Sequence, residues 1–290
     1  MEMFIQATVN GIIAAGLYAL VAYGLLIVLG IMNVVNFAHG EFVMIGAYFS
    51  YWAFIATGVD PLLLALPVAL VMFLFGVAIY KFSVGPVLRE PSINQLVLTF
   101  GISLTLQNVA LLLWNADLRS INVPYADLSF RIGFVDIGVF RVAAFLLACL
   151  SIGILQFTTH YTRFGKAMQA VSQNKVASSL VGINVNSVHL VTFGAAAATA
   201  GVAGVVVSVL MYTFPTVGGH LVLKAFAIVI LGGLGSIPGA TLGGFILALV
   251  EELGAGYISS GYRDAMGFVL IIVILLFRPT GLFARKERIG

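Results

Sequence analysis

The reading of the fold turns on RFGKAMQAVSQNKVASSLVGINVNSV, residues 163–188. This is the longest polar interruption in the C-terminal half, set between uncharged runs at 142–157 and 188–222. It holds three bases, Arg163, Lys166 and Lys175, and no acid. No Asp or Glu occurs anywhere between Asp136 and Glu251. Short basic segments between hydrophobic spans stay on the cytoplasmic side, so this stretch sets which way the chain faces. Asn174 is placed to cap a short helix over 175–181, and Gly182 to end it in the left-handed conformation. Ala177, Leu180 and Val181 then fall on one small apolar face. A plain connection needs only a few residues. This one is far longer and keeps small and apolar side chains, so a docking surface for a cytoplasmic partner is expected rather than a solvated linker.

Composition places the stretch in a membrane protein. The chain has 290 residues, 61% hydrophobic and only 9% charged. Soluble domains carry about 25% charge. Mean hydropathy is +1.11. The net charge of +3 therefore says little about nucleic acid, because the bases sit where orientation requires them. The lone cysteine, Cys149, excludes an internal disulfide and is expected to be a packed core thiol. The N-terminus has no basic n-region and no clear cleavage site, so the first hydrophobic stretch is expected to be a retained span.

Upstream, residues 3–38 are uncharged. As one helix they would reach roughly 54 Å, well beyond a bilayer core of about 30 Å. A break is required, and Gly30, Asn33 and Asn36 are the candidates. Span 1 is then 8–29 and span 2 is 42–56. The intervening NVVNFAHGE (33–41) reads either as a short cytoplasmic turn or as irregular backbone lining a cavity at membrane depth. On the second reading Asn33, Asn36, His39 and Glu41 border a translocation path. Asp60-Pro61 marks a turn, span 3 covers 62–82, and a basic loop follows over 81–89. Span 4, 93–114, carries Gln107 and Asn108 near its end. The hydrophilic segment 115–141 contains a hairpin pattern around Gly133. Span 5 is 142–157. Span 6, 188–212, is crowded with small residues, and Ala197, Gly201, Gly204 and Ser208 share one face suited to close helix packing.

Parity decides the remainder. If 163–188 is cytoplasmic, span 6 ends outside. The tail 278–288 holds four bases and one acid and should lie inside. An even number of crossings must then precede the last span, 264–277. Lys224 and Glu251 bound 26 uncharged residues, too few for two ordinary spans. Their middle, GGLGSIPGATLGG, breaks any straight helix. A hairpin is expected, with a short leg 221–234, a longer leg 240–256, and a turn at 235–239. Gly235, Pro238 and Gly239 join the candidate path, because broken elements persist where they line a pathway or are buried by protein. Glu251 and Glu252 are expected at a span end, and Lys224 among the external bases. The result is an all-α polytopic membrane protein with eight to nine transmembrane segments. Its N-terminus is outside and its C-terminus cytoplasmic, in one domain over 1–290.

Several chemistries are absent from the sequence. There is no phosphate loop of the form G-x-x-x-x-G-K-[ST] and no H-E-x-x-H. The four histidines lie far apart, and no nucleophile elbow is present. A membrane enzyme using His39 and Glu41 would lack a partner nucleophile. A stand-alone transporter would need coupling-ion or selectivity groups that are sparse here.

Three long segments carry a resemblance: NFAHGEFVMIGAY (36–48), GKAMQAVSQNKVASSLVGINV (165–185) and LKAFAIVILGGLGSIPGATLGGFILALVEE (221–252), with the ending RPTGLF (278–283). Together they resemble the LivH-type permeases, the membrane subunits of branched-chain amino acid ABC importers, over nearly the whole chain. The resemblance implies a second, LivM-like permease subunit, two cytoplasmic ATP-binding subunits and a periplasmic substrate-binding protein in a bacterial inner membrane. It implies no cofactor and no catalytic site in this chain. Gly165, Lys166, Ala170, Asn174, Ala177, Leu180, Val181 and Gly182 would form the segment that couples to the ATPase. Related permeases carry urea or short amides, and nothing in these residues separates those substrates.

Overall fold

The chain is described in a computed structural model over residues 1–233, 237–278 and 281–282, with Ile237 by its backbone alone. Two helices form its centre. α1 (Glu2–Met32) is buried without interruption over residues 15–28. A helix apolar on every side has no solvent face and is covered all round. Along the chain follow α2 (His39–Thr57), α3 (Pro61–Ile79), the one-turn α4 (Gly85–Val87), α5 (Ser92–Trp114) and α6 (Val139–Tyr161). After α7 (Arg163–Gln173) and α8 (Lys175–Leu180) comes the second central helix, α9 (Val185–Leu210), followed by α10 (Val217–Gly232), α11 (Ile237–Tyr257) and α12 (Arg263–Phe277). α11, α9, α6 and α10 pack around α1. The small residues of α9 explain its position. A Cβ at Gly204 would meet the α2 backbone at 2.5 Å, and one at Gly201 would meet Met72 of α3 at 2.8 Å. Small faces permit that approach where lipid supplies no hydrophobic drive between helices.

Seven stretches among the described residues are long and apolar enough to cross a membrane: Glu2–Met32, Pro61–Val87, Ser92–Trp114, Val139–Tyr161, Val185–Leu210, Pro238–Tyr257 and Ser260–Phe277. α10 is apolar but shorter. The outer helices α5, α6 and α12 are mostly exposed, and Cys149 of α6 is exposed with them. The expected core thiol is therefore a surface one. An apolar run tells a span from a loop, but not a central span from a peripheral one.

Three local outcomes refine the reading. The expected basic loop at 81–89 is largely helical. A π-turn, Tyr80–Val84, and then α4 carry the third helix on to Val87. The hairpin around Gly133 is present as β1 (Ser129–Ile132) and β2 (Val135–Gly138), with Gly133 at φ +64. Residues 163–173 form an eleven-residue helix whose buried face is Gly165, Met168 and Val171. The expected turn at Gly235 and Ser236, and the tail bases Arg285, Lys286 and Arg288, lie outside the described residues.

The two ends of the bundle differ. At one end, Lys175 Nζ of α8 donates to the Met32 carbonyl at the end of α1, 3.1 Å away. The amide of Leu282 bonds the Leu231 carbonyl at the same end. At the other end, Gln6 of α1 exchanges hydrogen bonds with the backbone of Asp136. Arg119 and Thr213 pair through their backbones. Tyr125 donates to the Asp60 carboxylate, which with burial pushes the phenol above its ordinary range. Segment 115–138 is thus sewn across the ends of α1, α2 and α9.

Candidate functional site

The connection after α1 does not stay at the end of the bundle. Asn33 ends α1 with φ 60, a left-handed conformation that asparagine tolerates. The chain then turns back inward, with Val34, Asn36 and Ala38 buried. Thr99 Oγ1 of α5 donates to the Val35 carbonyl at 3.0 Å, and Asn36 Oδ1 accepts from the Ala38 amide at 3.1 Å. His39 Nε2 lies 3.0 Å from the Val21 carbonyl oxygen, so this nitrogen is the donor. α2 thus begins three turns of α1 short of that helix's end, about 16 Å inside the bundle.

α10 begins at the same depth. A Cβ on Gly40 would overlap the Gly218 carbonyl oxygen, and one on Gly218 would stand 2.5 Å from Glu41 Oε2. Only glycine at both positions lets the two helix starts touch. Each helix start carries backbone N–H groups without intrahelical partners, and the paired positive ends favour an anion. Glu41, in the first turn of α2, places its carboxyl group there.

Glu41 is 0% exposed. Its Oε1 accepts from Gln107 Nε2 at 2.7 Å and from Ser103 Oγ at 3.2 Å, both on α5. Its Oε2 has no hydrogen-bond partner, and neither do Asn36 Nδ2 and His39 Nδ1. Buried polar atoms are normally satisfied, so bare ones on three neighbouring residues of one buried break mark a candidate site. A crevice of about 170 Å³ at the end that carries segment 115–138 reaches as far as Gln107, the partner of Glu41. The crevice is lined by Gln107, Asn108 and Leu111 of α5 and by Phe214, Pro215 and Thr216 before α10. Gln107 is shared, lining the crevice and holding Glu41. No group of His, Cys, Asp and Glu suited to a metal ion occurs among the described residues. The chemistry on offer from these side chains is hydrogen bonding.

Gly218→Ala tests the junction. The added methyl must push α10 off α2, which should lower stability by about 1–3 kcal/mol and abolish any transport through the site. Gly219→Ala, where a Cβ meets nothing within 4 Å, should change neither. Thermal unfolding in detergent and uptake in vesicles read the two effects separately.

The structure buries Asn36, His39 and Glu41, His39 against α1 and Glu41 against α5, while Asn33 is exposed at the end of α1. Pro238 is exposed in the first turn of α11, and Gly239 packs against the Gly232 backbone at the far end of α10. Both lie away from Glu41, and Gly235 is outside the described residues. The residues expected to couple lie along α7, α8 and the turn after them. Asn174 Oδ1 accepts from the Ala177 amide at 2.9 Å, and Gly182 has φ +85. Ala177, Leu180 and Val181 are all exposed, as is Lys166. Gly165 fits where a side chain would overlap the Thr158 and Thr159 carbonyls, and Ala170 is half-buried behind it.

A second interior cluster escaped the sequence reading. Lys224 Nζ lies 2.8 Å from Glu251 Oε2 and 2.8 Å from Asp264 Oδ1, and it donates to Tyr18 Oη at 2.8 Å. Tyr18 in turn donates to Glu251 Oε2 at 2.6 Å. The side chains of Lys224 and Glu251 are 13% and 3% exposed. Lys224 is therefore not a free external charge, and Glu251 is buried inside α11 rather than placed at a span end. Each neutralises the other where lone charges would be costly.

The whole chain can be compared with known proteins. The family model described as the branched-chain amino acid transport system / permease component matches residues 7–276. The high-affinity branched-chain amino acid transport permease LivH of Salmonella typhimurium is 34% identical, over 98% of this chain and 96% of its own. BraD of Pseudomonas aeruginosa, named for the same transport, is 33% identical over 98% and 97%. A probable LivH of Methanocaldococcus jannaschii is 30% identical over 94% and 90%. No solved structure matches. With seven apolar spans and a family match over nearly its full length, the chain belongs to the branched-chain amino acid transport permeases and is a multi-pass membrane protein.

Proposed function

We propose that this chain is the permease subunit of an ATP-driven importer carrying branched-chain, hydrophobic amino acids across a bacterial inner membrane. The observation that carries the reading is α8. At one end of a chain without a phosphate loop, Val176, Leu180 and Val181 stand 70%, 82% and 77% exposed. An exposed apolar face with capped ends is a docking surface looking for its partner. Two cytoplasmic ATP-binding subunits are the partners it implies, with a second permease beside the exposed outer helices and a periplasmic binding protein at the opposite end.

The distribution of bases supports an inward C-terminus and an outward N-terminus. Lys81, Arg89, Arg163, Lys166, Lys175 and Arg278 gather at the end of α8, while Arg119, Arg131, Arg141 and Arg263 lie at the other. With α2 and α10 as half-spanning elements that start at mid-depth, the segments number nine in one transmembrane domain over 1–290, residues 115–141 lying outside. Asn36, His39 and Glu41 then border the path, Gln107 standing at its outer side. Half-helix starts at the midplane are where transporters place polar substrate groups.

The test is uptake by the assembly reconstituted in vesicles, with leucine, valine, urea and short amides as the panel. ATP-dependent uptake of leucine and valine alone is the expected result, and uptake of urea or amides in their place would refute the substrate. Glu41→Gln should lower the rate by about tenfold or more, the weight of a lost hydrogen bond to a charged group, with the assembly intact. An unchanged rate would remove Glu41 from the path.

A further inference from the structure

At the α8 end of the bundle, a cavity of about 580 Å³ opens between the π-turn after α3, the start of α8 and the start of α9. Arg89, Lys175 and His189 line it with Tyr80 and Asn186, and none of its lining residues is an acid. His189 is 4% exposed, yet its Nε2 has no hydrogen-bond partner. Lys175 donates to the Met32 carbonyl, which takes one of its three donors. Tyr80 donates to Asn186 Oδ1 at 2.8 Å, which holds Asn186 at the rim. Glu90 follows Arg89 in the chain but is exposed and makes no ion pair among the described residues. The cavity thus offers donors and positive charge with nothing to neutralise them.

Its position narrows the ligand. The cavity lies at the end of the span Pro61–Val87, at headgroup depth. Above it the outer face of α3 is bare and apolar, with Leu66, Leu70 and Leu74 at helical spacing and Phe82 on the π-turn itself. Beside Phe82, Lys81 extends its ammonium over the ring at 5.6 Å, as lysines do at a membrane surface. A ligand entering here brings acyl chains along α3 and its phosphate to the cations. The geometry points to a binding site for the phosphate group of an anionic glycerophospholipid, held by Arg89, Lys175 and His189. Paired basic side chains between span ends are suited to such headgroups, and the volume falls in the range of small-ligand cavities. In the orientation proposed above, the lipid belongs to the cytoplasmic leaflet. Lys175 is also the first residue of the docking helix and touches the end of α1. A bound phosphate therefore braces α8 against α1 and α3, linking lipid composition to the part of the chain that meets the ATPase. The site does not depend on which solute is carried.

The test uses the full chain purified in a neutral detergent. Wild type should bind phosphatidylglycerol in preference to phosphatidylcholine, read by native mass spectrometry and by a rise in unfolding midpoint. Arg89→Gln, at an exposed position that the fold tolerates, should weaken retention of phosphatidylglycerol about fivefold, the weight of one basic residue against an anionic headgroup. Arg89→Gln with Lys175→Gln should remove the preference. Lys81→Gln, next to Tyr80 in the chain but outside the cavity lining, should leave it unchanged. Equal binding of both lipids by wild type, or equal loss in Lys81→Gln, would overturn the assignment. Protection by inorganic phosphate at millimolar concentration, with no added effect of phosphatidylglycerol, would assign the cavity to a soluble phosphate and overturn the lipid source.

Discussion

Lys224→Met should be the most destabilising single exchange in the interior, at about 3–5 kcal/mol, the cost of removing one member of a buried ion pair. The reason is what it leaves behind. Glu251 is 3% exposed, and Lys224 is its only cationic partner among the described residues. The Tyr18 hydroxyl alone cannot balance a buried carboxylate. The double exchange Lys224→Met with Glu251→Leu should recover most of the loss, because both charges leave together. Tyr18→Phe removes one hydrogen bond to a charged group and should cost about 1.5–3 kcal/mol. Asp264→Ala should cost about 1 kcal/mol or less, since Asp264 is 54% exposed and its share of Lys224 is screened. The measurement is unfolding by denaturing detergent in mixed micelles. A Lys224→Met penalty no larger than that of Asp264→Ala, or a double variant worse than either single one, would show that the charges are not coupled.

This cluster shows where sequence reasoning stopped and why. The uncharged run between Lys224 and Glu251 required a hairpin, and the structure has one in α10 and α11, with the Gly232 backbone against Gly239. What was not drawn is the consequence for its boundary charges. The two legs lie antiparallel around a turn near residue 237, and Lys224 and Glu251 stand almost equally far from it. A hairpin that closes there brings the pair together. Treating each charge as the marker of a span end hid that they are each other's partner. Tyr18 could not have been found the same way, because α1 is apolar on all sides and no face of it is marked.

The site around Glu41 divides in the same manner. Asn36, His39 and Glu41 were legible because an uncharged run of that length must break, and the break carries the polar residues. That they lie inside the bundle, rather than in a surface turn, goes with Gly40 meeting Gly218, a contact between segments far apart in the chain. Gln107 was visible only as a polar residue near the end of span 4, and Ser103 was not singled out. Which way α5 turns them is fixed by packing against α2, not by any period in a span that is nearly apolar throughout. Cys149 failed for the complementary reason: a bilayer lets a peripheral helix be as apolar as a central one.

Leu180→Asp and Ala177→Arg should each abolish uptake while the permease inserts and folds as before. α8 has only six residues, too few to persist by propensity alone. It is held instead by its ends and anchors. Asn174 caps it, Gly182 closes it with φ +85, Ser178 is buried beneath it, and Lys175 ties it to the last turn of α1. α7 is seated against the end of α6 by Gly165, and Thr162 caps it by accepting from the Gly165 amide at 3.0 Å. The pair is therefore a rigid unit joined directly to α6, α9 and α1, which is what transmission of a rigid-body movement requires. Its outward face, Ala177, Leu180 and Val181, contributes nothing to the fold of this chain, because these side chains are all exposed. Changing them should leave stability within about 0.5 kcal/mol of wild type, as at other surface positions. In a partner's groove the same changes bury an unpaired charge, at several times that cost. The two measurements are the unfolding midpoint of the isolated chain and ATP-driven uptake, with co-purification of the ATP-binding subunit, in the assembly. Unchanged midpoints with lost co-purification and lost uptake are the expected result. Asp127→Ala, on the hydrophilic segment at the opposite end, should leave co-purification intact. If Leu180→Asp and Ala177→Arg both retain wild-type uptake and partner binding, α8 is only a connection between two spans, and the energy of ATP must enter this bundle elsewhere.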